Sequence, residues 1–135
     1  MRQEVKFKFV KTVPDSLDEG TVYITTHYNT AIHKCMCGCG NEVVTPFSPN
    51  DWSLCYDGES ISLSPSIGNW SFECQSHYWI ESNTVIWDKR WSSHRIERNR
   101  NADLRDRKAN DNFSRNSKGW LSVLYRLFSF FHIKF

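Results

Sequence analysis

Cys35-Met36-Cys37-Gly38-Cys39-Gly40 places three thiols within five residues, and Cys74-Gln75-Ser76-His77 answers it with a thiol and an imidazole. Ordinary core packing does not call for thiols at that density. Gly38 and Gly40 allow tight backbone turns, so neighbouring sulfurs can converge on one point. The two clusters read as a tetrahedral Cys/His site that closes a loop across the sequence. Zinc is the expected occupant, because thiolate and imidazole suit it and it needs no redox partner. Five candidates compete for four positions: Cys35, Cys37, Cys39, Cys74 and His77.

The preferred set is Cys35, Cys37, Cys74 and His77, with Cys39 a substitute ligand or a thiol just behind the ligands. Neither C-x-C pair matches the C-x2-C of a usual zinc knuckle. The set resembles the two-loop spacing of Rieske-type proteins, with Cys in the first His position, which keeps an iron–sulfur cluster as the minor alternative. His33 is a further ligand or, preferably, a hydrogen-bond donor to a thiolate or a residue that simply faces solvent on the approaching strand. Cys55 stands alone in a hairpin and is read as a structural or incidental thiol.

Around these clusters the chain alternates like a β protein. Val5, Phe7 and Phe9 oppose Lys6 and Lys8 in the first strand, and Val22 and Ile24 oppose Tyr23 in the next. Strands follow at 42–45, 52–56, 61–63, 78–80 and 84–87, with Asp57-Gly58 a hairpin turn and Pro49-Asn50 a breaker. Ser64-Pro65-Ser66-Ile67-Gly68-Asn69-Trp70 is read as a rigid loop ahead of the second ligand pair. Runs this short, broken every 8–12 residues, predict a mainly β fold: a small antiparallel sandwich or open barrel with a zinc-clipped loop pair, plus a C-terminal amphipathic helix.

The net charge of +2 conceals an asymmetry: residues 1–88 carry 5 Lys/Arg against 11 Asp/Glu, and residues 89–135 carry 12 against 4. The expected organisation is a metal-binding β domain over 1–88, a basic flexible linker over 89–117 and an amphipathic helix over 118–135. Ser117 is the expected cap of that helix. Trp120, Leu124, Leu127, Phe128 and Phe131 share its apolar face, suited to the chain's own β domain, a protein partner or a membrane surface. Asp103, Asp106 and Asp111 interleave with the linker's arginines and argue against nucleic acid. Nothing reaches the length of a membrane span, no apolar stretch opens the chain, and an odd count of five cysteines, spaced for metal rather than bridges, suits a reducing compartment, so a cytoplasmic location is expected.

Three function classes compete. A closed four-ligand site predicts a zinc-stabilised protein-interaction or accessory module, the leading expectation. An open metal position predicts a zinc-dependent hydrolase or transfer enzyme, with Glu73 or Glu42 as base and Ser66 or Ser76 as nucleophile. No H-E-x-x-H or nucleophile-elbow motif supports the second class. Clustered thiols without metal would predict a redox role, which the lack of C-x-x-C weakens.

The stretch from Gly20 to Trp87 resembles domain of unknown function family 6527. The resemblance rests on Val22-Tyr23-Ile24, His33-Lys34-Cys35-Met36-Cys37-Gly38-Cys39-Gly40, Ser64-Pro65-Ser66-Ile67-Gly68-Asn69 and Cys74-Gln75-Ser76-His77-Tyr78-Trp79-Ile80, with Val85 and Trp87. It implies a small zinc-binding β domain. It also implies a setting beside bacterial ubiquitin-like conjugation systems, whose enzymes would be its protein partners.

Overall fold

The computed structural model describes residues 2–129, the side chains of 113–129 excepted. The chain divides into two units, Met1–Trp91 and Ser92–Phe135. The first holds nine strands: β1 (Gln3–Glu4), β2 (Lys6–Phe9), β3 (Thr21–Thr25), β4 (Thr30–Lys34), β5 (Glu42–Pro46), β6 (Ser53–Tyr56), β7 (Ile61–Gly68), β8 (His77–Glu81) and β9 (Thr84–Trp87). They form a five-stranded sheet in the order β1-β9-β8-β7-β6 and a four-stranded sheet in the order β2-β3-β4-β5. The two make an open sandwich, as the alternating runs predict.

Its core follows from that alternation. Val22, Ile24 and Ala31 from the smaller sheet join Ile61, Leu63, Ile67, Tyr78 and Ile80 from the larger one, all at 2% exposure or less. Burial of this kind stabilises by roughly 25 cal/mol per Å² of apolar surface. β3 lies between β2 and β4 and is buried at all five positions. Its Tyr23 hydroxyl donates to Asp18 Oδ2 at 2.7 Å, which satisfies the one polar group that the ring brings in.

Two turns carry the hairpins that matter for function. Asp57 accepts the N–H groups of Glu59 and Ser60 at 3.0 and 2.7 Å, and Gly58 takes φ 101°, so β6 returns as β7 where Asp57-Gly58 predicts it. Ser82 and Asn83, both at positive φ, turn β8 into β9.

The first strand differs from its expected form. The alternating run is cut at Val5: β1 pairs with β9 in one sheet and β2 with β3 in the other. Val5 itself is buried, and its N–H donates to Asn83 O at 2.8 Å. The β2/β3 pair is also parallel, so the smaller sheet is mixed rather than antiparallel. Alternation fixes which face is buried but not strand direction.

Among the described residues the second unit contains one helix, α1 (Ser93–Ser129), of 37 residues. It runs through the stretch expected as a linker and across the expected start at 118. Ser92 caps it, its Oγ accepting from Arg95 N–H at 3.4 Å and its carbonyl from Ile96 N–H at 3.0 Å. Interleaved charges and i,i+4 contacts such as Asn99 to Asp103 at 3.4 Å suit a solvated helix as well as a linker. The side chains of Trp120, Leu124, Leu127 and Phe128, and the whole of Phe131, lie outside the described residues. Among the described residues no helix is long and apolar enough to cross a membrane.

Candidate active site and metal centre

β4 ends where the first thiol begins. Cys35 N–H donates to Asn41 O at 2.7 Å and Gly38 N–H to Cys35 O at 3.0 Å, folding residues 35–41 into a closed loop. Gly38 and Gly40 sit at φ 85° and 83°, a region that disfavours any side chain. The opposing loop joins β7 to β8, with Phe72 N–H bonded to Asn69 O, Gln75 N–H to Phe72 O, and Gln75 itself at φ 45°.

These loops bring Cys35, Cys37, Cys39 and Cys74 together, all four sulfurs within 4.8 Å of one another. Cys35 Sγ lies 3.4 Å from Cys37 Sγ and 3.9 Å from Cys74 Sγ, and Cys39 Sγ lies 3.8 Å from Cys74 Sγ. A tetrahedron with metal–sulfur bonds of about 2.3 Å has edges of about 3.8 Å. The donor set therefore fits a thiolate-bound metal. Polar neighbours suit the same charge: Ser76 Oγ is 3.0 Å from Cys35 Sγ, and the side-chain amide of Asn41 donates to Cys39 Sγ at 3.2 Å. Burial pushes the Cys35 and Cys37 thiols up, whereas the Asn41 backbone N–H is the main cause holding Cys39 down to about 7.

The nitrogen donor expected in this set is elsewhere. His77 is not part of the thiol group, and both its ring nitrogens face other partners. His33 is also apart, fully buried with Nε2 2.9 Å from the Tyr78 hydroxyl. Cys55 is exposed on β6, away from the four.

His77 opens β8 directly opposite Gly68 of β7. Residues at the same level and two apart share a sheet face, so Ser66 projects on the face of His77. Ser66 Oγ lies 2.9 Å from His77 Nε2. On the other side, β9 continues past Trp87 and Asp88 N–H bonds His77 O at 3.0 Å. That pairing delivers the Asp88 carboxylate, whose Oδ2 is 2.9 Å from His77 Nδ1. Ser66, His77 and Asp88 thus form one chain of polar contacts across three adjacent strands.

Charge sets the direction of the protons. Asp88 accepts from Trp91 Nε1 at 2.8 Å and from Lys89 N–H at 2.7 Å. The Trp91 hydrogen bond is the largest cause holding its carboxyl below the usual range, and His77 contributes further. An ionised carboxylate only accepts, so its place 2.9 Å from Nδ1, an ion-pair distance without hydrogen-bond alignment, suits the tautomer that keeps its hydrogen on Nδ1 and leaves Nε2 to accept from the Ser66 hydroxyl.

Aromatic rings shield the imidazole. Trp70, Trp79 and Trp91 lie with ring centroids 4.9, 5.1 and 4.5 Å from that of His77, which is 5% exposed. Trp70 reaches over β7 because residue 68 is glycine; a Cβ there would sit 2.5 Å from the indole. Ser66 is half-buried, so the hydroxyl is reachable while the base is kept from bulk water.

Sequence reasoning offered Ser66 or Ser76 as the nucleophile of the hydrolase class, placed His77 among the metal ligands and did not find Asp88. Glu42 and Glu73, the bases considered, are both exposed. The order Ser, His, Asp follows no familiar motif, and only hairpin register brings together residues spaced by 11.

No curated protein and no solved structure matches the chain. The expected relation to domain of unknown function family 6527 does not hold. The strings that suggested it lie between residues 20 and 87, inside a segment that matches a different family. Residues 9–88, more than half of the chain, match the family described as "Bacterial ubiquitination-like system serine protease (BubE)", and the chain belongs to that family.

Proposed function

We propose that the protein is a serine protease whose nucleophile, general base and orienting acid are Ser66, His77 and Asp88. The observation that carries this reading is the continuous contact chain, Ser66 Oγ to His77 Nε2 at 2.9 Å and His77 Nδ1 to Asp88 Oδ2 at 2.9 Å. The family's description supports it and supplies the setting, a bacterial ubiquitination-like system. This reading displaces the zinc-stabilised accessory module as the principal function and keeps hydrolysis from the second class, with the nucleophile activated by histidine rather than by metal.

In the reaction, Ser66 Oγ bonds the substrate carbonyl carbon as its proton passes to His77 Nε2. Asp88 stabilises the imidazolium that results. His77 then gives that proton to the leaving group as the carbonyl–leaving-group bond breaks, and water releases the acyl group by the same steps in reverse. β6 stops at Ser53, opposite Ser64, so no described strand pairs the edge of β7 beside Ser66. An extended acyl substrate would reach Ser66 along that edge.

Cys35, Cys37, Cys39 and Cys74 would hold a zinc ion. Held by these residues, a zinc ion would cross-link the 35–40 loop to the β7–β8 connection. Thiolate ligation suits a reducing, cytoplasmic location. The face of Trp120, Leu124, Leu127, Phe128 and Phe131 is proposed, on its sequence pattern, as a contact for a protein partner.

The test is covalent labelling with a fluorophosphonate followed by peptide mass spectrometry. The expected adduct is on Ser66, and it is absent in S66A and H77A. Labelling at another serine, or none, would sink the assignment.

A further inference from the structure

Trp91 lies outside residues 9–88, the segment that matches the family. Its indole N–H donates to Asp88 Oδ2 at 2.8 Å, and this is the same oxygen that His77 Nδ1 contacts at 2.9 Å. The ring of Trp91 meets that of His77 edge-on, with centroids 4.5 Å apart at 73°, and stacks on Trp70 at 4.8 Å and 23°. One side chain therefore touches both partners of the acid–base pair. Trp70 and Trp79 also border the imidazole, but among the described residues neither donates to Asp88.

The Asp88 side chain is 27% exposed, so its rotation is not fixed by burial. Lys89 N–H holds Oδ1 at 2.7 Å. The Trp91 indole holds Oδ2 at 2.8 Å, and with both oxygens held the carboxylate plane is set. We propose that Trp91 is a positioning residue of this site, pinning Asp88 Oδ2 through its N–H and the imidazole plane through its ring, so that Nε2 stays aimed at Ser66 Oγ. The inference rests on the triad reading above. It adds a fourth member that acts through the acid and the base without touching substrate.

The experiment uses the full chain and a fluorophosphonate as probe. In that reaction the Ser66 Oγ–phosphorus bond forms, fluoride leaves with the phosphorus–fluorine bond pair, and the serine proton passes through His77 to water. W91F keeps a ring and removes the donor. Its second-order labelling rate is expected to fall about 10- to 100-fold, the scale of an ångström-sized misplacement. Melting temperature and metal content are expected to stay at native values. The His77 Nδ1 proton should shift upfield in the NMR spectrum as Asp88 Oδ2, released from the indole, turns away from the imidazole. In a D88N background W91F should slow labelling no further, because its route through the acid is gone.

A native labelling rate in W91F, or an effect that multiplies fully with that of D88N, would overturn the proposal. Should W91F fail to fold, 3-benzothienylalanine at position 91 keeps the ring shape and lacks only the N–H, and the same rate loss is expected. Absence of Ser66 labelling in the native protein would remove the triad reading itself. Native labelling that W91F leaves unchanged would remove the role of Trp91 alone.

Discussion

Ser76 and His77 are neighbours in the chain that serve different centres: Ser76 Oγ lies 3.0 Å from Cys35 Sγ, and His77 Nε2 lies 2.9 Å from Ser66 Oγ. Successive side chains on an extended segment point to opposite sides, so one peptide bond separates the thiol cluster from the imidazole. Asn69 reinforces the link, its side-chain amide donating to Ser76 Oγ at 2.9 Å and its own N–H to Ser76 O at 2.9 Å.

This division makes the two centres separable by mutation. H77A is expected to retain a full complement of zinc, measured by elemental analysis, while losing fluorophosphonate labelling. C39A or C74A is expected to lose the metal, since each removes one of four sulfurs. X-ray absorption at the zinc edge should show four sulfurs and no nitrogen. A nitrogen ligand that disappears in H77A would restore the Cys/His site.

Loss of individual triad members should follow their roles. S66A is expected to lower kcat by about 10⁶, and D88N by about 10⁴ because the imidazole then loses its orienting acceptor. Both should melt with the native protein. An active S66A would rule out the covalent step.

Gly68 gives a third test. A Cβ at this position would lie 2.5 Å from two atoms of the Trp70 ring, so G68A must displace the indole that covers His77. Overpacking of this kind costs about 1–3 kcal/mol. Labelling should slow, and removing the obstructing ring in G68A/W70A should recover most of the lost stability. Equal melting temperatures for G68A and G68A/W70A would count against the contact.

Asp57 supplies a prediction in pH. Hydrogen bonds from the N–H groups of Glu59 and Ser60 hold its carboxyl down to about 2, against 3.8 ordinarily. A depressed carboxylate contributes stability that is present above pH 3.8 and is lost as pH falls through about 2. D57A should therefore melt a few degrees below the native protein at neutral pH, with the gap narrowing between pH 4 and pH 2. A gap that stays constant over this range would show that Asp57 acts by some means other than its charge.

The sandwich was legible because alternation and turn chemistry are local. Asp57-Gly58 and Ser82-Asn83 lie where the hairpins turn, and Val22, Ile24, Ile61 and Leu63 are buried as their period requires. The parallel β2/β3 pair was not legible, since the same alternation suits either direction. Clustering of the four thiols was visible in their spacing. The place of His77 was not, because Cys74 and His77 have the separation of a ligand pair while Gln75, at φ 45°, lies in the turn between them. The triad was hidden for a related reason: it depends on register across three strands, which no contiguous string records.

The crossing at Val5 also sets an order of events during synthesis. β1 is made first, yet its partner β9 comes some eighty residues later, with Gln3 facing Val85. Ser66 and His77 therefore leave the ribosome before the strand that closes the sheet and, one residue beyond it, Asp88. On the proposed assignment, a nascent chain would carry its nucleophile and base without their acid, and the proposed activity would arrive only with the final strand.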